Sequence, residues 1–331
     1  MRFVLPVLLA SVCFGTTGTA QALGPAADPA SVGAARILIG GGALGLIALA
    51  ATVARRRRGA SGTSAVSTSG AGVDAAARRA LPTWAVVGVG ALGVLAYQPA
   101  FFAGTAANGV AVGTVVALGS APVITGALDW MLRRRFPGAR WVVATAIATA
   151  GVAILAAASG DGAAGAAGSA GAASSAGSAS ASVLGLLASI GAGASYAVYT
   201  LAAKALLDRG WTSTGGMGAL FGVAAIASLP LLLATDTAWL ATGPGLAMAL
   251  WLGLVTTTLA YLLFGSGLGG LAPATVSTLT LAEPLTAGIL GVVVLGETLT
   301  AGGVVGLAVL ATGIVVLATA GVRRAAHPAT A

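Results

Sequence analysis

The stretch LAPATVSTLTLAEPLTAGILGVVVL, residues 271–295, contains a single charged side chain, Glu283. A helix needs about 20 mostly apolar residues to cross about 30 Å of hydrocarbon, so this stretch is long enough to span a bilayer. Similar apolar runs recur along the whole chain. The pattern predicts an integral membrane protein made almost entirely of transmembrane helices.

The composition excludes a water-soluble protein. Hydrophobic residues make up 57% of the 331 positions and charged residues only 7%, which leaves too little polar surface for water as the solvent. The formal net charge is +8, but the basic residues cluster beside apolar runs without interleaved aromatic residues. No nucleic acid partner is therefore predicted. The single cysteine, Cys13, and the single histidine, His327, predict neither a disulfide nor a metal site, and no cofactor is expected.

Apolar runs bounded by charges or by Gly, Pro, Ser and Thr predict ten spans. Their predicted bounds are 3–23, 33–54, 83–103, 107–129, 141–158, 181–203, 214–235, 246–264, 271–295 and 301–322. The first run also fits a cleavable secretory signal, with Arg2 before it and Ala20-Gln21-Ala22 after it. However, Ser11–Leu23 resembles Ser189–Leu201 of the sixth run, which favours a permanent span.

The charges test this span count. With the N-terminus in the cytoplasm, the inward connections and both tails collect every Lys and Arg except Arg36. These residues are Arg2, Arg55 to Arg58, Arg78, Arg79, Arg133 to Arg135, Arg140, Lys204, Arg209, Arg323 and Arg324. The outward connections then hold only the acidic residues Asp28, Asp161, Asp236 and Glu297. This asymmetry follows the positive-inside rule and predicts the cell (cytoplasmic) membrane, with both termini cytoplasmic.

The chain contains a weak internal repeat. The motif around Pro122, Ala-Pro-Val-Ile-Thr-Gly, returns around Pro284 as Glu-Pro-Leu-Thr-Ala-Gly, at an offset of 284 − 122 = 162. Since five spans are an odd number, the second half must be inverted relative to the first, an arrangement common in secondary transporters. The predicted domains are a first five-helix repeat at 1–158 with a cytoplasmic loop at 55–82, a Gly/Ala/Ser linker at 159–180, a second repeat at 181–322 and a cytoplasmic tail at 323–331.

Glu283 is the main candidate for function. It lies twelve residues after Leu271, about 18 Å along a helix and so near the bilayer centre. An ionised carboxylate there is expensive, so it should face a wet cavity, find a partner or carry a proton. A direct role in binding and a structural role as a hydrogen-bond acceptor both remain open at this stage.

Other polar side chains in or at the ends of the spans are further cavity candidates. They are Gln21, Tyr97, Gln98, Asn108, Tyr196 and Tyr261. Tyr199 is expected to be an interfacial anchor instead. Arg36 is expected to snorkel to the outer membrane surface or to pair with Asp28, with guidance of an anion as the alternative.

Proline inside a span removes a backbone donor and frees the carbonyl four residues earlier. Pro122 and Pro284 are therefore candidate helix breaks that face one cavity, with a simple kink as the alternative. Small-residue pairs such as Gly41 with Gly45, Gly109 with Gly113 and Gly302 with Gly306 predict close helix contacts.

The motifs do not favour an enzyme. The sequence contains no HExxH, no GxSxG, no paired acids and no cluster of metal ligands. A carrier of small molecules is the leading hypothesis, with protons as the candidate coupling ion. A channel or a non-transporting membrane receptor is the alternative.

Several motifs are similar to a known family. Ala282-Glu283-Pro284, followed by Leu295-Gly296-Glu297-Thr298-Leu299-Thr300, resembles the C-terminal half of EamA-type transporters of the drug/metabolite transporter superfamily. The first half is similar through Phe14-Gly15, Ala35-Arg36 and Ala121-Pro122. The resemblance implies a ten-helix, inverted-repeat carrier of small metabolites, often an exporter of amino acids, amines or toxic compounds. The chain has Arg135 where the family often has a glutamate.

Overall fold

The computed structural model describes residues 1–59, 81–159 and 182–325. Within these ranges it has ten helices that are long and apolar enough to cross a membrane. We number them α1 Val4–Ala22, α2 Pro29–Arg57, α3 Thr83–Gly109, α4 Ala111–Arg133, α5 Ala139–Ala158, α6 Val183–Asp208, α7 Ser213–Leu233, α8 Gly243–Gly270, α9 Pro273–Val293 and α10 Ala301–Thr319. The predicted fold class, an all-α integral membrane protein with ten transmembrane helices, is confirmed. The 159–180 linker, apart from its first residue, and the end of the 323–331 tail lie outside the described residues.

Successive helices run in opposite directions between two ends of the molecule. At one end, called the basic end here, Arg209 Nη2 donates to the Leu81 carbonyl at 2.8 Å and Arg133 meets Asp208. At the other, the acidic end, Ser31 Oγ donates to the Asp236 carbonyl at 2.7 Å. The chain is a multi-pass membrane protein. The contacts of its basic residues described above lie at one end, and the Ser31–Asp236 contact lies at the other.

Helices α3 and α4 are joined almost directly, and the chain bends back on itself at Gly109. Gly109 has φ 80° and ψ 156°, a left-handed conformation that favours glycine because it has no Cβ. The prediction that the pair Gly109 and Gly113 allows close helix contact is wrong for Gly109, because nothing lies within 4 Å of a Cβ added there. Gly113 instead packs on Thr105 across the bend, where an added Cβ would lie 2.7 Å from the Thr105 Cα.

The two prolines proposed as helix breaks behave differently. Before Pro284 the helix departs from α geometry: α9 narrows to a 3-10 turn at Thr280–Ala282, and a new α-helical segment starts at Glu283. Proline is well tolerated in a first turn, where its missing N–H is not needed. At Pro122 the prediction is wrong, because α4 continues as an α-helix through the proline. The freed carbonyl there belongs to Leu118, which borders a cavity.

Two pairs of helices pack through small residues in a reciprocal way. Between α2 and α7, a Cβ added to Gly45 would lie 3.2 Å from the Gly222 Cα, and one added to Gly222 would lie 3.3 Å from the Gly45 Cα. Gly41 likewise approaches Phe221 on α7, as predicted for this glycine pair. Close backbone approach of this kind stabilises helix pairs in lipid by van der Waals packing.

The pair α5 and α10 repeats the pattern. A Cβ on Gly151 would lie 2.6 Å from the Leu310 Cα, and one on Gly313 would lie 2.6 Å from the Ala148 amide nitrogen. Gly306 and Gly302 extend the same seam against Leu155 and Ala158. Helices from the two parts of the chain also pack on each other: α1 packs on α8 and α9, while α3 and α4 pack on α6.

Candidate functional site

A cavity lies at the level of Glu283 and extends towards the acidic end. Gln21 at the end of α1 and Arg36, about two turns into α2, line it on that side. The cavity encloses about 80 Å³, enough for a few ordered waters but less than the roughly 300–1,000 Å³ of ligand pockets. A larger molecule therefore fits only if the surrounding helices move apart.

Six of the seven predicted cavity side chains line this space. They are Gln21, Tyr97, Gln98, Tyr196, Tyr261 and Glu283. The seventh, Asn108, was predicted wrongly as a cavity residue. It lies at the acidic end, where its amide donates to the Ser182 carbonyl at 3.1 Å and its side-chain oxygen accepts the Ser182 N–H at 2.6 Å. Asn108 thus ties the α3–α4 bend to the start of α6.

Glu283 owes its place to the local shape of α9. It is the first residue of an α-helical segment, and its backbone N–H donates to the Thr280 carbonyl. A carboxylate at a helix N-terminus is favoured by the positive end of the helix dipole. The carbonyl of Leu279, in the last turn before the break, accepts the Ser11 hydroxyl at 3.3 Å.

Gly15 allows α1 to approach α9 at the same point. A Cβ on Gly15 would lie 2.5 Å from the Thr286 Cβ and 2.7 Å from the Glu283 carbonyl oxygen. In the other half, a Cβ on Gly193 of α6 would lie 3.0 Å from the Ala121 amide nitrogen on α4. Ala121, at the repeat offset from Glu283, also lines the cavity. Ala121 and Glu283, which are 162 positions apart in the sequence, therefore present a methyl group and a carboxylate to the same cavity.

Tyrosine hydroxyls form the polar part of the cavity floor. Tyr196 pairs with Thr280 Oγ1 at 2.9 Å, and Tyr199 pairs with Tyr261 at 3.0 Å between hydroxyl oxygens. The expectation that Tyr199 anchors the membrane interface is wrong, because its side chain is buried and lines the cavity. The hydroxyls of Tyr196 and Tyr199 on α6 and of Tyr261 on α8 together form this cavity floor.

Buried aromatic rings lie behind this floor. The Phe221 ring is 4.0 Å from the Tyr261 ring, centroid to centroid, and Phe264 contacts both Tyr196 and Tyr261 edge-on. Phe221 and Phe264 are fully buried. Within the part of the chain that the structure describes, this buried cluster bounds the cavity on the side of the basic end.

Arg36 does not snorkel to the membrane surface and does not pair with Asp28, so that expectation is wrong. Its Nε donates to Thr257 Oγ1 and its Nη2 to the Thr256 carbonyl, both at 3.1 Å, and its side chain lines the cavity. Asp28 instead accepts the Ser31 N–H at 3.0 Å. The acceptors of Arg36 lie more than 200 positions away in sequence, so no local pattern could indicate this orientation.

The sequence also missed several apolar and hydroxyl residues of the wall. They are Phe14, Thr17, Phe101, Phe102, Leu118, Ala121, Ser277, Thr280 and Leu281. Inside a membrane span such residues look the same whether they face lipid, another helix or a cavity. The motif Phe14-Gly15 was the one available signal, because its glycine marks the contact with α9.

An ion-pair network closes the basic end. Arg133 of α4 contacts Asp129 at 2.6 Å and Asp208 of α6 at 2.5 Å. Lys204, on α6, lies 3.7 Å from Asp208 and donates to the Leu268 carbonyl of α8 at 3.0 Å. The network joins three helices below the aromatic cluster.

Comparisons with known proteins agree with this architecture. Residues 183–319 match the model of the EamA-like transporter family. The chain is 36% identical over 319 residues to the uncharacterized transporter YwfM of Bacillus subtilis (strain 168), covering 96% of this chain and 94% of that one. A solved crystal structure aligns with a TM-score of 0.70 and 21% sequence identity, covering 97% of this chain and 98% of that chain. This last likeness concerns the fold alone.

Proposed function

Because this chain belongs to the EamA-like transporter family of the drug/metabolite transporter superfamily, we propose that it is a secondary active exporter. Its solutes are small metabolites such as amino acids, amines or drug-like compounds, and they cross the cytoplasmic membrane. The observation that carries the proposal is the cavity at Glu283, which lies in mid-span, contains both charged and hydroxyl side chains, and is bounded by buried aromatic rings.

Two inverted five-helix repeats are part of the proposal. The reciprocal contacts support them: Gly45 with Gly222 pairs the second helix of each half, and Gly151 with Leu310 mirrors Ala148 with Gly313 in the fifth. The contact of α1 with α9 corresponds likewise to that of α6 with α4. Related halves of opposite orientation give a carrier two similar conformations, one open to each side.

The chemistry of the cavity supports small solutes with little net charge. One carboxylate, Glu283, and one guanidinium, Arg36, line a wall that is otherwise mostly aromatic, aliphatic and hydroxylic. Sugar phosphates and nucleotides would be expected to need several basic side chains. Aromatic walls instead suit solutes with an apolar body.

Cytoplasmic termini follow from the charge distribution. The basic end carries Arg133, Lys204 and Arg209, and such clusters favour the cytoplasmic side of a membrane. The cavity then extends towards the outside. Export is inferred from the family and is tested by accumulation of solute in inside-out vesicles.

Counterflow in proteoliposomes tests the carrier. Liposomes loaded with an unlabelled candidate solute should take up the labelled solute transiently above equilibrium, because a carrier exchanges one molecule for another. A channel lets both pools leak to equilibrium without overshoot, and a receptor moves neither. Absence of overshoot across a panel of amino acids, amines and cationic dyes contradicts the proposal.

A further inference from the structure

Arg36 is held at the contact between α2 and α8. Gly40 lies four residues after Arg36 and so on the same face of α2. A Cβ on Gly40 would lie 2.5 Å from both the Gly253 carbonyl oxygen and the Thr257 Cβ. Thr258 Oγ1 donates to the Gly40 carbonyl at 3.0 Å. This tight contact brings the Arg36 side chain onto α8.

The part of α8 that receives Arg36 is π-helical, spanning Trp251–Leu259. Such wide turns are frequently found at functional sites. Thr257 donates its own hydroxyl proton to the Leu252 carbonyl at 2.9 Å, so its oxygen is free to accept the Arg36 Nε–H. The Thr256 carbonyl accepts the Nη2–H. The guanidinium is therefore anchored along its Nε and Nη2 edge.

The opposite edge of the guanidinium remains for another group. A guanidinium has five N–H donors, of which this anchoring uses two. Nη1 and the second Nη2 proton form the planar end that matches a carboxylate with two parallel hydrogen bonds. Arg36 lines the cavity and its Nε and Nη2 edge is bound to α8, which leaves this end available to a group in the cavity.

The acidic residues of the described chain do not occupy this end. The ion pairs among the described residues involve Arg133 and Lys204, not Arg36. Asp28 accepts a backbone N–H instead, and Glu283 borders the same cavity without an ion pair to Arg36. A fixed cation thus faces the cavity alongside a separate carboxylate.

We propose that the guanidinium of Arg36, anchored on the π-helical turn of α8, is the anion-binding group of the cavity and takes a carboxylate of the solute. This inference rests on the proposed carrier function and predicts that the carrier prefers solutes that carry a carboxylate. Glu283, across the cavity, is placed for a cationic group of the same solute. A dicarboxylate or a polyphosphate would bring a second negative charge towards Glu283 and is disfavoured.

Chemical protection tests the site without transport. The purified full-length protein is treated with phenylglyoxal, which modifies arginine, and modification is counted at each arginine by mass spectrometry. Three probes share one ring and differ in charge: 3-phenylpropionate, L-phenylalanine and 2-phenylethylamine. The first two should slow modification of Arg36 several-fold, and the amine should not. Arg135, exposed in the α4–α5 loop, serves as the reference and should react equally in all cases.

Equal protection by all three probes, or by none, overturns the inference. If the rate of phenylglyoxal modification of Arg135 is unchanged by the probes, a nonspecific salt effect is excluded. An Arg36→Lys variant keeps the charge but loses the planar fork, so it should bind 3-phenylpropionate more weakly while keeping the thermal stability of the parent. If stability instead falls and binding in the remaining folded protein is unchanged, Arg36 acts only as a strut between α2 and α8.

Transport separates this inference from the carrier proposal. In counterflow, Arg36→Gln should lower exchange of a carboxylate-bearing solute about tenfold or more and leave exchange of the matching amine nearly unchanged. Arg135→Gln is the matched control. Equal loss for both solutes overturns the anion role while counterflow itself still supports a carrier. If the parent exchanges no solute, the carrier proposal fails, and the protection result still decides whether Arg36 binds carboxylates.

Discussion

Glu283 lies in the middle of α9 and lines the cavity. It starts a helical segment after the 3-10 turn at Thr280–Ala282 and lines the cavity beside Tyr97 and Tyr196. Placing a carboxylate in the middle of a membrane span costs free energy, so such a residue usually has a function or a partner. Ala121, at the offset of 162 from Glu283, lines the same cavity without a charged group.

We expect Glu283→Gln to abolish transport driven by a pH gradient and to leave the fold intact. The amide keeps the size and hydrogen-bonding capacity of the side chain but cannot exchange a proton. The measurement is solute flux in proteoliposomes with and without an imposed pH gradient. Glu297→Gln, in the turn between α9 and α10, is the control and should behave as the parent does. Full gradient-driven flux in Glu283→Gln would exclude proton coupling through this residue.

For single residues, the sequence indicates which polar side chains line the cavity better than it indicates their hydrogen-bond partners. Glu283, Tyr97 and Tyr261 could be identified because a polar group in an apolar span is costly in lipid and therefore usually faces the protein interior or a cavity. The orientation of Arg36 could not, because it depends on acceptors contributed by a distant π-helical turn. Asn108 could not be separated from the cavity residues either, since capping and solute binding use the same amide group.

Among the helices, the contact between α1 and α9 fixes the position of Glu283. We expect Gly15→Ala to cost about 1–3 kcal/mol of stability and to impair transport, because the new Cβ would meet the Glu283 carbonyl. Gly42→Ala is a matched control within α2, since nothing lies within 4 Å of its added Cβ. Thermal unfolding and counterflow measure the two effects. Equal stability of both variants would contradict the close contact.

The ion-pair network at the basic end gives a second prediction about helix contacts. Asp129 is buried and relies on Arg133, whereas Asp208 is 43% exposed. Arg133→Gln should therefore destabilise by about 1–3 kcal/mol, because it leaves a buried carboxylate without its cation. Asp208→Asn should cost only about 0–1 kcal/mol, as exposed pairs do. The order of the two unfolding temperatures is the measurement, and the reverse order would contradict it.

Span positions follow from the sequence because apolar length is a direct requirement of the bilayer. Every predicted end lies within six residues of the observed one. Departures from ideal α-helix geometry were harder to predict from the sequence. Pro122 and Pro284 read alike in sequence, yet only Pro284 follows a 3-10 turn. The π-helical turn of α8 was not anticipated, because Thr256, Thr257 and Thr258 look like ordinary members of an apolar run until their hydroxyls find carbonyl partners in space.

For the molecule as a whole, the topology can be tested with single cysteines. Replacing Cys13 with serine gives a background without thiols, since it is the only cysteine of the chain. In that background, Gly243→Cys at the acidic end should react with a membrane-impermeant maleimide in intact cells. Arg135→Cys at the basic end should react only after permeabilisation. The opposite pattern would invert the molecule and place the cavity on the cytoplasmic side.

Alternating access predicts that the two ends do not open together. Gln98 lines the cavity on the side of the acidic end, whereas Leu268, at the basic end of α8, is fully buried and its carbonyl is held by Lys204. In the background without Cys13, Gln98→Cys should therefore react readily from outside while Leu268→Cys is protected. A transported solute supplied from the cytoplasmic side should change the two rates in opposite directions, because opening one side requires the aromatic floor and the Lys204 contact to rearrange. A channel would instead raise both rates at once, so rates that rise in parallel would exclude a carrier.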